Sequence, residues 1–302
     1  MKNAIKVIAI LISTLLLAAA CSNSEDKQSN SAVKSYKLDS GKSIKIPKNP
    51  KRIVVTADTY AGGIKYLDGH IVGVNKDVEQ SDILDKQFKK TKKINPKNVE
   101  EITKLKPDLI IADSDDKNLK KFEKITKTIP MAYGKRDYLK TQIQLGKLLN
   151  KQEKAEQWVN DWKKQTAKDE KEIKNHIGND STVSIFDDFN KEYYAFGKNW
   201  GRGGEILYQA FNLKMPKSLE KVVEKDGYKP LSLESMPKYA GDYIFTMSEG
   251  KASPEFEKTK VWQNMPAVKQ HHVYHVKAEN FWYNDPYSLE ANRETLKSHL
   301  LE

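Results

Sequence analysis

The chain has 302 residues, 38% of them hydrophobic and 9% aromatic, enough to bury one large core or two smaller ones. Lys and Arg number 52 against 41 Asp and Glu, but the lysines alternate with acids along the chain and form no compact basic motif, so no nucleic-acid partner is expected. A single cysteine excludes a disulfide within the chain.

The first twenty residues, MKNAIKVIAILISTLLLAAA, carry two lysines, an apolar run and small residues just before Cys21. This is the pattern of a signal peptide over 1–20, too short for a lasting membrane span. The ending Leu17-Ala18-Ala19-Ala20-Cys21 resembles a bacterial lipobox, with Ala18 where leucine is usual, and makes Cys21 the expected lipidation site. Each buried CH₂ of the lipid would add about 0.8 kcal/mol of membrane affinity. Residues 21–35 are small and polar, the composition of a flexible tether. The expected location is therefore the extracytoplasmic face of the cell membrane.

Tyr36 to Ile46 alternates about Asp39-Ser40-Gly41, which predicts a hairpin ended by Pro47 and Pro50. Apolar runs at 52–56, 71–74, 109–112 and 129–133 predict short strands separated by helices, a mostly parallel α/β arrangement. From Gln152 to Ile177, Ala155, Trp158, Val159 and Trp162 recur at helical spacing up to Gly178. At 1.5 Å per residue this helix is about 39 Å long, a spine between two lobes. A second α/β series starts at Thr182 and passes through 242–247 and 273–276 to a closing helix over 286–300. The expected division is a lobe over 36–150, a spine helix over 151–178 and a lobe over 179–302.

Two segments match across the halves at one offset: Val99-Glu100-x-Ile102-x-x-Leu105-x-x-Asp108-Leu109-Ile110 and Leu233-Glu234-x-Met236-x-x-Tyr239-x-x-Asp242-Tyr243-Ile244. A fainter echo links Tyr60-Ala61-Gly62-Gly63 with Gly201-Arg202-Gly203-Gly204. Together they predict two similar lobes.

Motifs for catalysis are missing: no G-x-S-x-G, no H-E-x-x-H and no G-x-x-x-x-G-K-[ST] occurs. Asp113, Asp115 and Asp116 read as a solvated loop. In His271-His272-x-x-His275 only the first and last would share a strand face, so bare metal capture would need His70, His176 or His299 to converge there. An exposed edge strand is the preferred reading. Tyr133, Tyr193, Tyr194, Phe196, Trp200, Phe281, Trp282, Tyr283 and Tyr287 are expected in loops at the carboxyl ends of strands, where α/β sheets bind ligands. Within FGKNWGRGGE, Arg202 follows Trp200 by two residues at an expected helix start. Its planar fork can donate two hydrogen bonds to ligand oxygens, and a free helix N-terminus would add positive potential.

PKRIVVT, the spine helix, E-x-I-x-x-L-x-PDLII and W-x-x-x-PAV-K-x-x-x-VYHV resemble the substrate-binding lipoproteins of iron-siderophore ABC importers. NWGRGGE and FWYNDPY resemble, more narrowly, the ferric hydroxamate-binding lipoproteins of Gram-positive bacteria. The resemblance implies a class III periplasmic-binding-protein-like fold, α/β and bilobed, with one long helix between the lobes and a shallow cleft. Its cargo would be an iron(III)-hydroxamate siderophore of the ferrichrome or desferrioxamine type. Trp200 and Arg202 would contact the chelate, with Tyr194, Tyr133, Trp282, Tyr283 and Tyr60 completing the ligand wall. Glu100 and Glu234 would dock on an ABC permease served by a cytoplasmic ATPase. The siderophore's own oxygens would hold the iron, so neither a cofactor nor a protein metal ligand is expected, and the protein would be a monomeric receptor, not an enzyme. Haem or another iron chelate is the alternative cargo within this fold, and haem would require an axial pair such as Met131 and Tyr133.

Overall fold

Residues 32–189, 192–248 and 254–302 are described by a computed structural model. The expected leader and Cys21 lie outside the described residues. The hairpin forms as expected: β1 (Val33–Lys37) pairs antiparallel with β2 (Ser43–Pro47). It starts at Val33, so strand pairing reaches three residues, Val33 to Ser35, into the segment read as tether.

The first lobe is built on β3 (Ile53–Val55), β4 (Ile71–Asn75), β5 (Lys92–Ile94), β6 (Leu109–Asp113) and β7 (Thr128–Met131), all parallel in the spatial order β5-β4-β3-β6-β7. β3 and the first four residues of β6 are apolar at every position because both faces are covered. Ile53, Val55, Leu109 and Ile111 pack into one core with Ile64 of α1 (Ala61–Tyr66) and Leu84 of α2 (Asp82–Phe88). Val54, Ile110 and Ala112 point the other way, onto Ile102 of α3 (Val99–Lys104) and Phe122 of α4 (Leu119–Ile125). Burying each such side chain contributes about 1.5–3 kcal/mol.

After α5 (Tyr138–Leu149) comes the spine, α6 (Gln152–Ile177), ended by Gly178 at φ 94°. Its buried stripe is Ala155, Trp158, Val159, Trp162, Thr166, Asp169, Ile173 and Ile177. Trp158 and Trp162 stack at 5.7 Å, and the Trp162 indole donates to the Tyr138 hydroxyl at 3.0 Å. Asp169 is the charged member of that stripe. Burial opposes its charge, but Lys297, at 2.9 Å, and Arg293 hold its carboxyl below the usual range.

The second lobe carries β8 (Val183–Phe189), β9 (Glu192–Phe196), β10 (Tyr228–Leu231), β11 (Tyr243–Ser248) and β12 (Val273–Lys277) in the order β10-β9-β8-β11-β12. Between β9 and β10 lie a π-helix (Glu205–Ala210) and α7 (Lys217–Val223); α8 (Met236–Tyr239) precedes β11, and α9 (Pro286–Leu300) closes the chain. β8, β11 and β12 are parallel, whereas β9 runs antiparallel to both neighbours. Glu192–Phe196 is thus a strand and not the loop expected from its cluster of aromatics. Aromatic side chains favour a pleated, half-buried surface, and this run is paired on both sides.

The matched segments occupy equivalent places. Each enters the strand beside its lobe's central strand, β6 beside β3 and β11 beside β8. Asp108 accepts the backbone N–H groups of Lys51 and Arg52 at 2.6 and 3.0 Å, and Asp242 accepts that of Thr182 at 2.8 Å. Both aspartates fasten the entry of a central strand. β12 is the edge strand expected from the histidine cluster, but His271, at φ 62°, and His272 lie before it. His272 stacks on Tyr243 at 4.3 Å, and His275 pairs with Glu257 at 2.8 Å.

The segment ahead of α9 returns to the first lobe. Asn280 Oδ1 accepts the Asp82 N–H at 2.9 Å, and Lys277 pairs with Asp82 at 3.0 Å. The Tyr283 hydroxyl reaches the Asp58 carboxylate at 2.9 Å and the Asp77 carbonyl at 3.0 Å. These contacts tie the lobes beside the spine.

Candidate functional site

Between the lobes lies a cleft of about 500 Å³, within the usual range for small-ligand sites. The first lobe contributes Tyr60 and Tyr133; the second contributes Trp200, Trp282 and Glu205. Tyr133 and Trp200 stand 50% and 47% exposed, unusual for side chains of their size, and their rings meet 5.7 Å apart. Trp200 also sets its ring edge-on to Tyr228 at 5.7 Å, and Tyr228 meets Tyr194 at 6.0 Å and Phe196 at 6.2 Å. An aromatic series therefore runs from the cleft mouth to the sheet edge.

The glycine-rich stretch is not a helix start. Trp200, Gly201, Arg202 and Gly203 have φ of 81°, 71°, 57° and 80°, a left-handed turn of four residues. Glycine adopts that region freely, whereas tryptophan and arginine each lose roughly 1–2 kcal/mol there. The turn is held by the Arg202 N–H donating to the Phe281 carbonyl at 2.8 Å. Gly227 supports it from below: a Cβ there would lie 2.3 Å from the Trp200 ring. The helix that follows is a six-residue π-helix, and its first N–H groups are used from within, Ile206 and Leu207 both donating to the Gly203 carbonyl at 3.0 and 2.9 Å, while Glu205 turns back to accept the Gly201 N–H at 3.0 Å. The free positive helix end expected from the sequence is absent.

Arg202 is held by a different device. Its Nε donates to buried Asp187 of β8 at 2.8 Å, and its guanidinium lies 5.7, 5.2 and 5.5 Å from the rings of Phe189, Phe196 and Trp282. That cage fixes the plane of the fork. With Nε engaged, the terminal amines make no hydrogen bond to a protein acceptor among the described residues, and Arg202 stands against Trp282, which lines the cleft, without lining it itself.

Of the aromatics expected on the ligand wall, Tyr60, Tyr133, Trp200 and Trp282 line the cleft. Tyr194 stands beyond the wall, with its hydroxyl on Glu192. Tyr283 is a correction: it is buried in the first lobe's core and its hydroxyl is spent on Asp58 and Asp77. Consecutive residues of one tight turn cannot share a direction, so Phe281 enters one core, Trp282 the cleft and Tyr283 the other core. Met131 is 2% exposed, packed in the same core as Tyr283, so the axial pair imagined for haem does not form. Among the described residues, no group of three or more His, Cys, Asp or Glu is placed to hold a metal ion. Glu100 and Glu234 are exposed in the first turns of their matched helical segments, outside the cleft.

Glu205, Asp187 and Tyr228 were not singled out from the sequence. Burial pushes the Glu205 carboxyl up to about 7, against the Gly201 N–H, Asn284 and Arg202, which favour its charge. Desolvation and the nearby Glu205 carboxyl push Tyr133 up to about 12. Asp113, the acid read as part of a solvated loop, is partly buried and raised to about 6 by desolvation and by Asp58.

A family model described as periplasmic binding protein matches residues 53–280. The chain belongs to that family. This periplasmic binding protein is 38% identical to the iron(3+)-hydroxamate-binding protein FhuD of Bacillus subtilis (strain 168), over 94% of this chain and 93% of the relative. Among solved structures it superposes on the FhuD protein from S. pseudintermedius with a TM-score of 0.84 and 49% identity, covering 90% of this chain and 99% of that one. FhuD2 from Staphylococcus aureus with bound ferrioxamine B gives a TM-score of 0.81 at 48% identity, covering 83% and 98%. The periplasmic-binding-protein fold, with its long interlobe helix, is thus the fold of this chain.

Proposed function

We propose that this protein is an extracytoplasmic receptor for iron(III)-hydroxamate siderophores, of the ferrichrome and ferrioxamine type, that hands its cargo to an ABC permease. The observation that carries the reading is the caged Arg202 beside the Trp282 wall of the cleft. An iron-hydroxamate complex presents oxygens with partial negative charge inside a mostly apolar skeleton. A fixed guanidinium fork suits the oxygens, and aromatic faces suit the skeleton. Relatives of nearly equal length, named for hydroxamate binding or solved with ferrioxamine B, support the same reading.

In this reading Trp200 and Arg202 contact the chelate, Tyr133, Trp282 and Tyr60 pack against it, and Tyr194 meets only a ligand that overhangs the mouth. Glu100 and Glu234, one per lobe, dock on the permease, and a lipid on Cys21 keeps the receptor near it. The lobes correspond to 36–150 and 179–302, with the spine over 151–178. Titration against hydroxamate, catecholate, carboxylate and haem ligands tests the assignment. Preferential micromolar or tighter binding of the hydroxamates is expected; equal or stronger binding of another class refutes it.

A further inference from the structure

Glu205 is an odd residue to find on the wall of a cleft for an oxygen-covered ligand. It is 5% exposed, lies in the first position of the π-helix and borders the cavity. Its Oε1 accepts the Gly201 N–H, while Oε2, also buried, has no hydrogen-bond partner within 3.5 Å among the described residues, the Asn284 side chain acting on the carboxyl only as a weaker donor. A buried polar atom without a partner costs about 1–3 kcal/mol, so its persistence beside a cavity calls for a partner from outside the chain. π-Helical turns recur at functional sites for a related reason: they hold side chains in positions a regular helix does not offer.

The neighbours restrict what that partner can be. Arg202 faces Glu205 but gives its Nε to Asp187. Tyr133 from the turn after β7 and Tyr138 from the start of α5 lie in the field of Glu205 and, each pushed up to about 12, stay neutral near physiological pH. Asn284 approaches from the segment before α9. Elsewhere on the cleft, Arg136 is paired with Asp39, and Asp137 caps α5 through the Lys140 N–H. An ionised Glu205 would turn a bare acceptor toward ligand oxygens that are themselves acceptors. A protonated one offers the donor they need.

We propose that Glu205 takes part in binding as the neutral acid, its Oε2 hydroxyl donating to an oxygen of the chelate, so that at alkaline pH capture of the chelate draws one proton from solvent onto this carboxyl. The inference rests on the hydroxamate reading and deepens it. Burial has already set the carboxyl near neutrality, to about 7, so the required form is well populated in the free receptor. Because the bound state favours the protonated form, affinity is constant below the free-state value. Above it, affinity falls by at most about tenfold per pH unit for one linked proton.

The test uses ferrichrome, a chelate without net charge, and the full receptor between pH 5.5 and 8.5. Calorimetry in buffers of different ionisation enthalpy should show close to one proton taken up at pH 8, declining toward zero at pH 6. Glu205→Gln, which keeps an N–H donor, should bind with an affinity that barely changes with pH. Asp113→Asn, which removes another carboxyl raised to about 6, should leave the fall in place. No proton uptake by the wild-type protein, an affinity that rises with pH, or an undiminished fall in Glu205→Gln overturns the proposal. Failure to bind ferrichrome and ferrioxamine B at every pH removes the hydroxamate reading itself, and the proton linkage with it.

Discussion

Tyr133 of the first lobe and Trp200 of the second hold their rings 5.7 Å apart across the cleft. Both are about half exposed, and Trp200 keeps a left-handed backbone to be there. A ligand seated between the lobes must cover or part this pair. Tryptophan emission should therefore be quenched by micromolar ferrichrome or ferrioxamine B, with Trp200→Phe losing a large share of the signal. A fluorescence titration with no response to either chelate rules out the placement.

Arg202→Ala should weaken hydroxamate binding by roughly 1.5–3 kcal/mol, the range for hydrogen bonds to charged groups. The variant also removes the ion pair between Arg202 and buried Asp187, so some stability is lost as well. Arg202→Lys retains the charge without the planar fork and should still bind weakly. Calorimetric titration of folded protein separates the effects, and wild-type affinity in Arg202→Lys removes the fork from the site.

Glu100 and Glu234 stand exposed at equivalent points of the two lobes. Replacing both by alanine should leave chelate affinity unchanged and reduce iron uptake by cells. Normal uptake by the double variant speaks against a docking role.

Asp169→Asn should cost about 3–5 kcal/mol, because Arg293 would lose its buried counter-ion. The sign of the pH effect follows from the depressed carboxyl. Its contribution is complete above the unfolded value of about 3.9 and disappears as pH falls through the lower folded value. Denaturant unfolding at pH 7 and pH 3 measures both effects. The gap between wild type and variant should narrow at the lower pH.

Much of the fold was legible because apolar runs such as Ile53-Val54-Val55 and Leu109-Ile110-Ile111 have one sensible use, a strand covered on both faces. The spine was equally plain, since Trp158 and Trp162 fall one turn apart. The site was legible in part. Arg202 and Trp200 stood out by type, yet the glycines around them do not reveal the sign of φ, so a left-handed turn was read as a helix start. Glu205 looked like an ordinary first-turn acid because burial depends on residues as distant as Asn284. Tyr283 was misdirected for a similar reason: its partner Asp58 lies in the other lobe.

The return of the chain to its first lobe also sets an order of assembly. Tyr283 and Asp58 are separated by 225 residues, and Asn280 and Asp82 by 198. Contacts that distant close late and slowly compared with local ones. During synthesis the first lobe can collapse around its own sheet, but the seam beside the spine stays open until almost the last residues are available. A chain truncated before residue 280 would therefore keep most of both sheets and lose the fastening between them, leaving two lobes that swing on one helix.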